Sequence, residues 1–344
     1  MNDWLSEAAG PAILVTVAAV EGSAPRAPGA RMTVGAAQLF DTIGGGHLEM
    51  RAIETARAML QDGRRRHVER FALGPSLGQC CGGVVHLAFE WFEPAQAAML
   101  RQLRQYDSCR VSALDGQAQS ALYGPDASLL AGEATPAFAS TRGTHIMQEP
   151  DGRRWLVDPV LAPRAHLLLF GAGHVGAAIV RALAELPCTV SWIDERDDMF
   201  PATLPANVAI EVSDTPEAAV AGAPPGSSFL VMTHSHALDQ RLAEAIMQRA
   251  DVGWFGLIGS RTKRMQFEAR LRARGVACAR IDTMVCPIGL PGISNKAPAV
   301  IAASVCAQLL AVWEEQQEQR EHDDGANAAS AAAPQLRLVG RRTS

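Results

Sequence analysis

The chain has 344 residues, 48% of them hydrophobic and 19% charged, with a formal net charge of −5. That length favours two cores, and the apolar content can fill both, which excludes a disordered protein. The acidic balance excludes general binding to nucleic acid or anionic surfaces, and no run reaches the roughly 18 apolar residues that cross a bilayer. The apolar run 11–20 follows Asp3 and Glu7, and the first basic residue is Arg26. A secretory signal carries positive charge ahead of its apolar stretch. The run therefore reads as a first strand and the protein as cytoplasmic. Seven cysteines, scattered apart from one adjacent pair, read as reduced thiols rather than a disulfide framework.

In chain order, strands are predicted over 12–20, 31–40 and 84–92, and helices over 48–60 and 94–104. The apolar stripe of the first helix is Leu48, Ile53, Ala56, Met59 and Leu60. From 109 to 158 short strand fragments alternate with Gly and Pro turns. Strands follow at 165–170, 188–194, 208–212, 228–233 and 253–258, the first leading into a helix over 177–186. Buried strands alternating with helices are the signature of a doubly wound parallel sheet. From 314 to 344 the chain turns to Glu, Gln and Arg, then to Asp-Asp-Gly and an alanine-rich run, read as a fraying helix end and a mobile tail. The fold class is thus α/β: an N-terminal α/β domain (1–110), a connecting region with short strands (111–162), a Rossmann-like domain (163–313) and the tail (314–344).

The turn Gly171-Ala172-Gly173-His174-Val175-Gly176 lies between a predicted strand and helix, with Asp194 about 20 residues downstream, as a dinucleotide fingerprint requires. Gly171 permits the tight turn, Gly173 the approach of phosphate, and Gly176 close helix packing. The plainer alternative is a turn used for packing alone. Hydride transfer also needs an acid or base at the substrate, and neither tyrosine, Tyr106 or Tyr123, belongs to a Tyr-x-x-x-Lys pair. An NAD(P)-dependent oxidoreductase is therefore the second reading. No catalytic residue is assigned.

Thr233-His234-Ser235-His236-Ala237-Leu238-Asp239 follows an apolar strand, where open α/β sheets bind ligands. His234 and His236 have metal-ligand chemistry, but without an evident third ligand a helix cap by Thr233 or Ser235 is the better reading. Contact with a polar ligand stays open. Arg261, Lys263 and Arg264 follow the next strand and suit an anionic ligand or a solvated helix face. All but two of the 31 basic residues are arginine, the exceptions being Lys263 and Lys296. Residues 286–292 form a Pro/Gly turn ahead of Lys296. In the first half, Glu21-Gly22-Ser23-Ala24-Pro25-Arg26 presents Arg26, and Gly44-Gly45-Gly46-His47-Leu48-Glu49 opens a helix. The latter is an anion nest or a left-handed turn with Glu49 on the helix dipole. In Gly78-Gln79-Cys80-Cys81-Gly82-Gly83 the adjacent thiols suit a soft or transition metal. They lack the Cys-x-x-Cys spacing of structural zinc, and a purely structural role is equally open.

These motifs together resemble the XdhC/CoxI family. The pieces are G-S-A-P-R with G-A-R-M, I-G-G-G-H-L-E, G-Q-C-C-G-G, F-G-A-G-H-V-G, T-H-S-H-A-L-D, G-L-I-G-S-R-T-K-R and C-P-I-G-L-P-G, in that order. The resemblance covers nearly the whole chain to about Trp313. It implies a chaperone that binds molybdenum cofactor (Mo-molybdopterin) transiently, supports its sulfuration with a cysteine desulfurase and delivers it to the molybdenum-binding subunit of xanthine dehydrogenase. Proteins of molybdenum-cofactor biosynthesis and a second copy of the chain are further expected partners. Cofactor contacts are then expected at Arg26, Gly44, Gly45, Gly46, His47, Glu49, Gly171, Gly173, His174, Gly176, Asp194, His234, His236 and Arg261, with Cys80 and Cys81 beside the metal. Ser235 stands where some members carry an acidic residue, which weakens a metal role for that loop. A third reading is a non-catalytic docking scaffold.

Overall fold

A first strand that is apolar and buried on both faces centres the first layer. The computed structural model describes residues 3–6, 10–74, 82–139 and 143–331. It contains two units, Met1–Pro163 and Arg164–Ser344. In the first, β1 (Ala12–Glu21), β2 (Arg31–Gly35), β3 (Leu39–Asp41), β4 (Arg66–Ala72) and β5 (Val84–Phe92) form an antiparallel sheet ordered β3-β2-β1-β5-β4. The predicted strand over 31–40 is in fact the β2–β3 hairpin, closed by the Gly35 amide donating to Gln38.

Helix α1 (Gly46–Asp62) buries Leu48, Ala52, Ala56 and Met59 against Ile13, Val15 and Val17 on one face of that sheet. On the opposite face Ala18 and Ala88 meet Leu114 and Leu156. Leu156 belongs to, and Leu114 directly follows a strand of, a second antiparallel layer: β6 (Ser108–Ala113), β7 (Ser120–Tyr123), β8 (Leu129–Gly132), β9 (His145–Gln148) and β10 (Arg154–Val160), ordered β8-β7-β6-β10-β9. Helix α2 (Pro94–Gln102) joins the sheets, its Ala97 and Leu100 packing with Leu14 and Phe92. The stretch expected as a connecting region is thus a five-stranded sheet. Its short strands pair only with each other, and residue spacing within any one strand does not show this.

The second unit is the expected parallel sheet. Strands β11 (Ala165–Phe170), β12 (Cys188–Asp194), β13 (Val208–Val212), β14 (Ser228–Val231), β15 (Trp254–Leu257) and β16 (Met284–Val285) are ordered β13-β12-β11-β14-β15-β16, all parallel. Helices α3 (His174–Leu183), α4 (Glu217–Gly222), α5 (His236–Gln248), α6 (Arg261–Ala273), α7 (Cys278–Asp282) and α8 (Pro298–Ala331) complete it. One face of the sheet packs Leu242, Ile246, Phe267 and Leu271. The other packs Ile179 and Leu183 of α3 with Val305, Leu309 and Trp313 of α8. Helix α8 runs through 314–331, where the composition predicts a fraying helix end and a mobile tail. Within α8, Pro298–Arg320 is long and apolar enough to cross a membrane (mean hydropathy 1.2), contrary to expectation. Its Ala302, Val305, Leu309 and Trp313 are nevertheless buried in the core.

Candidate functional site

In the second unit the strand order reverses direction between β11 and β14, the place where open α/β sheets leave a crevice. The β11–α3 turn lines it. Gly171 has φ 118°, and a Cβ there would lie 2.4 Å from the Met232 carbonyl oxygen. A Cβ on Gly176 would lie 2.2 Å from the Gly171 carbonyl, so α3 sits directly on its own turn. Gly173 caps α3 with nothing within 4 Å of its Cβ direction, and His174 beside it is exposed.

Asp194 ends β12 and is 6% exposed. Its carboxylate accepts the Ala172 amide at 2.7 Å and the Arg196 amide, Nε and Nη2 at 3.1, 2.9 and 3.0 Å. Burial pushes its pKa up, and these donors outweigh that, holding it below the usual carboxylate value. Asp194 is thus ionised and ties β12 to the glycine turn. Across the crevice, His234 Nε2 lies 3.2 Å from Glu195 Oε1. Gly171, Asp194 and His234 share the crevice with Glu195, Thr233 and Leu238. His236 and Arg261 are exposed at the starts of α5 and α6 and do not line it. Ser235, rather than Thr233, caps α5 by accepting the Leu238 amide.

Two residues beside the crevice escaped the sequence reading as a pair. Asp239 is fully buried and accepts the Thr233 amide (3.1 Å) and hydroxyl (2.8 Å) together with Lys263 Nζ at 2.6 Å. Lys263 also donates to the Ile258 carbonyl at 2.8 Å and lies over the Phe267 ring. The pair therefore ties the loop after β14 to the loop after β15. Its one sequence signal is a rare lysine among the arginines that open α6.

In the first unit three predicted loops meet at one end of the first sheet. A Cβ on Gly44 would lie 2.6 Å from Pro25 Cβ and 3.2 Å from Arg26 Cγ. One on Gly83 would lie 2.3 Å from the Ser23 carbonyl and 2.6 Å from that of Glu21. His86 Nε2 is 3.1 Å from Glu21 Oε1. The Glu21–Arg26 loop therefore touches both the triple-glycine turn and Gly83. Arg26 and His47 are exposed here. Gly44, Gly45 and Gly46 all have positive φ. The amides of Ile43 and Gly45 are taken by Glu49, each at 3.0 Å, with the Thr42 hydroxyl on the same oxygen. The nest is filled by the chain's own carboxylate.

Cys80 and Cys81 lie outside the described residues. Of the described cysteines, Cys109, Cys188, Cys286 and Cys306 are buried and Cys278 is exposed, all unpaired. Burial pushes the thiols of Cys109 and Cys188 to about 12 and that of Cys306 to about 11. Those three stay protonated at neutral pH and are poor metal ligands. Among the described residues no group of three or more His, Cys, Asp or Glu side chains is arranged to hold a metal.

Comparison with known proteins agrees with this two-part construction. The model of the XdhC and CoxI family matches residues 5–72, and that of the XdhC Rossmann domain matches residues 167–309. YqeB of Escherichia coli K12, an uncharacterized protein, is 31% identical over 152 residues, 43% of this chain and 27% of that protein. The match thus spans about a quarter of that relative's length. A crystal structure of a Bacillus halodurans protein described as a xanthine dehydrogenase superposes with a TM-score of 0.71, over 90% of this chain and 94% of that one. At 19% identity it is a likeness of fold. The second of these units is thus an XdhC-type Rossmann domain. The chain belongs to the XdhC and CoxI family.

Proposed function

We propose that this protein serves xanthine dehydrogenase by receiving molybdenum cofactor, supporting its sulfuration with a cysteine desulfurase and passing it to the enzyme's molybdenum-binding subunit. The supporting observation is the meeting of the Arg26 loop, the triple-glycine turn and Gly83 at one end of the first sheet. In this reading the cofactor is cargo, and Cys80 and Cys81 supply the soft ligands that suit molybdenum. Exposed Arg26 takes the cofactor's phosphate, as a guanidinium pairs well with that group. An exposed site suits a carrier that must release what it holds. The cytoplasm is the compartment in which such thiols stay reduced.

The test is anaerobic incubation with molybdenum cofactor, gel filtration, and assay of molybdenum and oxidised pterin in the protein peak. Co-elution is expected for the intact chain and loss for the Cys80→Ala/Cys81→Ala variant. Full binding and full activation of the dehydrogenase by that variant would remove the thiols from the proposal. The crevice at β11 and β14 favours a second reading, a nucleotide-binding oxidoreductase. NADH titration separates the two, since tight binding with turnover of a small carbonyl compound would favour the enzyme.

A further inference from the structure

Between the two antiparallel sheets of the first unit lies a cavity of about 420 Å³, within the size range of small-molecule sites. Around it the sheets meet through charges. Arg110 donates to Glu90 at 2.9 Å and to Asp158 at 2.8 Å, and Asp158 also accepts Arg31 at 2.6 Å. Arg66 stands opposite Glu90 in the β4–β5 register and lines the cavity. Three guanidiniums therefore face two carboxylates, leaving one positive charge in excess.

That excess charge sits on Arg66. Its guanidinium donates to the Ala113 carbonyl and has no ion-pair partner among the described residues. Burial lowers its pKa, Glu90 opposes this, and Arg153 and Arg110 lower it further. A half-buried cation among other cations is incomplete without an anion. Arg65, the neighbouring arginine on the cavity wall, is already paired with Glu93 at 2.6 Å and stacked on Trp91.

Two hydroxyls join Arg66. Ser112 and Ser120 face each other across β6 and β7, and both line the cavity. Ser112 is only 2% exposed. Neither hydroxyl has a hydrogen-bond partner among the described residues, so both are free to donate into the cavity. The remaining wall includes Met99 and Leu100 of α2 and Leu122 of β7.

We propose that this cavity binds a small organic anion, a carboxylate or phosphate ester with an apolar body. Arg66, Ser112 and Ser120 hold its oxyanion, and Met99, Leu100 and Leu122 hold its body. The site uses none of the glycine or cysteine loops, so it stands independently of the cofactor reading.

The test is calorimetric titration of the full chain with phenyl phosphate, benzoate and the neutral benzyl alcohol. At least one anion is expected to bind one-to-one, in the millimolar range or better expected for ligands this small, and whichever binds more tightly identifies the head group. Arg66→Gln should weaken that anion roughly tenfold or more, since a charged hydrogen-bonding partner is lost. Ser112→Ala should weaken it several-fold, and Arg65→Gln should leave it unchanged. If Arg66→Gln does not fold, judged by its thermal transition, Ser112→Val decides by filling the cavity and removing a donor. Failure of both anions to bind, equal affinity for benzyl alcohol, or unchanged affinity in the Arg66 and Ser112 variants would overturn the proposal.

Discussion

Asp158 shows what one buried residue does for the first unit. It is completely buried between the sheets and accepts Arg31 Nε (3.0 Å) and Nη2 (2.6 Å), Arg110 Nη1 (2.8 Å) and the Thr144 hydroxyl (2.8 Å). Burial pushes its pKa up, and the two guanidiniums outweigh that, holding the carboxyl below its usual value. The unfolded chain binds the proton near its ordinary value of about 3.9, so the native state keeps the carboxylate at pH values where the unfolded state is already protonated. Its stabilisation is therefore complete above about pH 5 and is lost as pH falls toward and through the lowered folded value. Asp158→Asn should cost about 3–5 kcal/mol at neutral pH by stranding Arg31 and leaving Arg110 with Glu90 alone, and should flatten the acid limb. Hydrogen exchange of β10 peptides between pH 3 and 7, corrected for intrinsic rates, measures both effects. An unchanged acid limb would assign it to other carboxylates. None of this was legible in the sequence, because Arg31 and Asp158 lie 127 residues apart. The Asp239–Lys263 pair, 24 residues apart on separate elements, was hidden for the same reason. Local spacing identifies a loop, but only folding shows which loops share a charge.

At the scale of elements, the last two glycines of the fingerprint, Gly173 capping α3 and Gly176 within it, serve different ends. A methyl group on Gly176 would lie 2.2 Å from the Gly171 carbonyl and must push α3 off the turn. Gly173 has φ −71° and open space around its Cβ direction. Gly176→Ala is expected to destabilise the second unit by about 1–3 kcal/mol, the usual range for overpacking. Gly173→Ala should change stability by well under about 1 kcal/mol. Urea unfolding of both variants compares them, and equal losses would contradict this division of roles. The turn was legible because a continuous apolar strand, glycines and an amphipathic helix follow one another within twenty residues. Helix α1 was legible from its stripe, with its start two residues earlier than the apolar pattern suggests. The second sheet was legible only as fragments, since its hydrogen bonds run between strands as far apart as β6 and β10. Helix α8 continues past Glu314 because a polar composition does not itself break a helix without proline. The fate of the triple-glycine nest was equally hidden. Glu49 fits a dipole argument from sequence, yet its capture of the Ile43 and Gly45 amides depends on how the turn closes.

For the molecule as a whole, each unit has its own apolar interior. Ile13, Leu87 and Met59 lie in the core of the first, and Leu169, Ile179 and Leu309 in that of the second. The hydrogen-bonded sheets are also complete within each unit. A segment with its own core and satisfied sheets meets the physical requirement for folding alone. Fragments 1–163 and 164–344 are therefore expected each to give a cooperative thermal transition by circular dichroism. The cavity with Arg66, Ser112 and Ser120 lies entirely in the first, so that fragment should bind phenyl phosphate or benzoate with the full chain's affinity, and the second should not. Loss of cooperative folding in fragment 1–163 would show that its two sheets need the second unit. Intact folding with lost anion binding would show that the cavity takes its shape from outside its own walls.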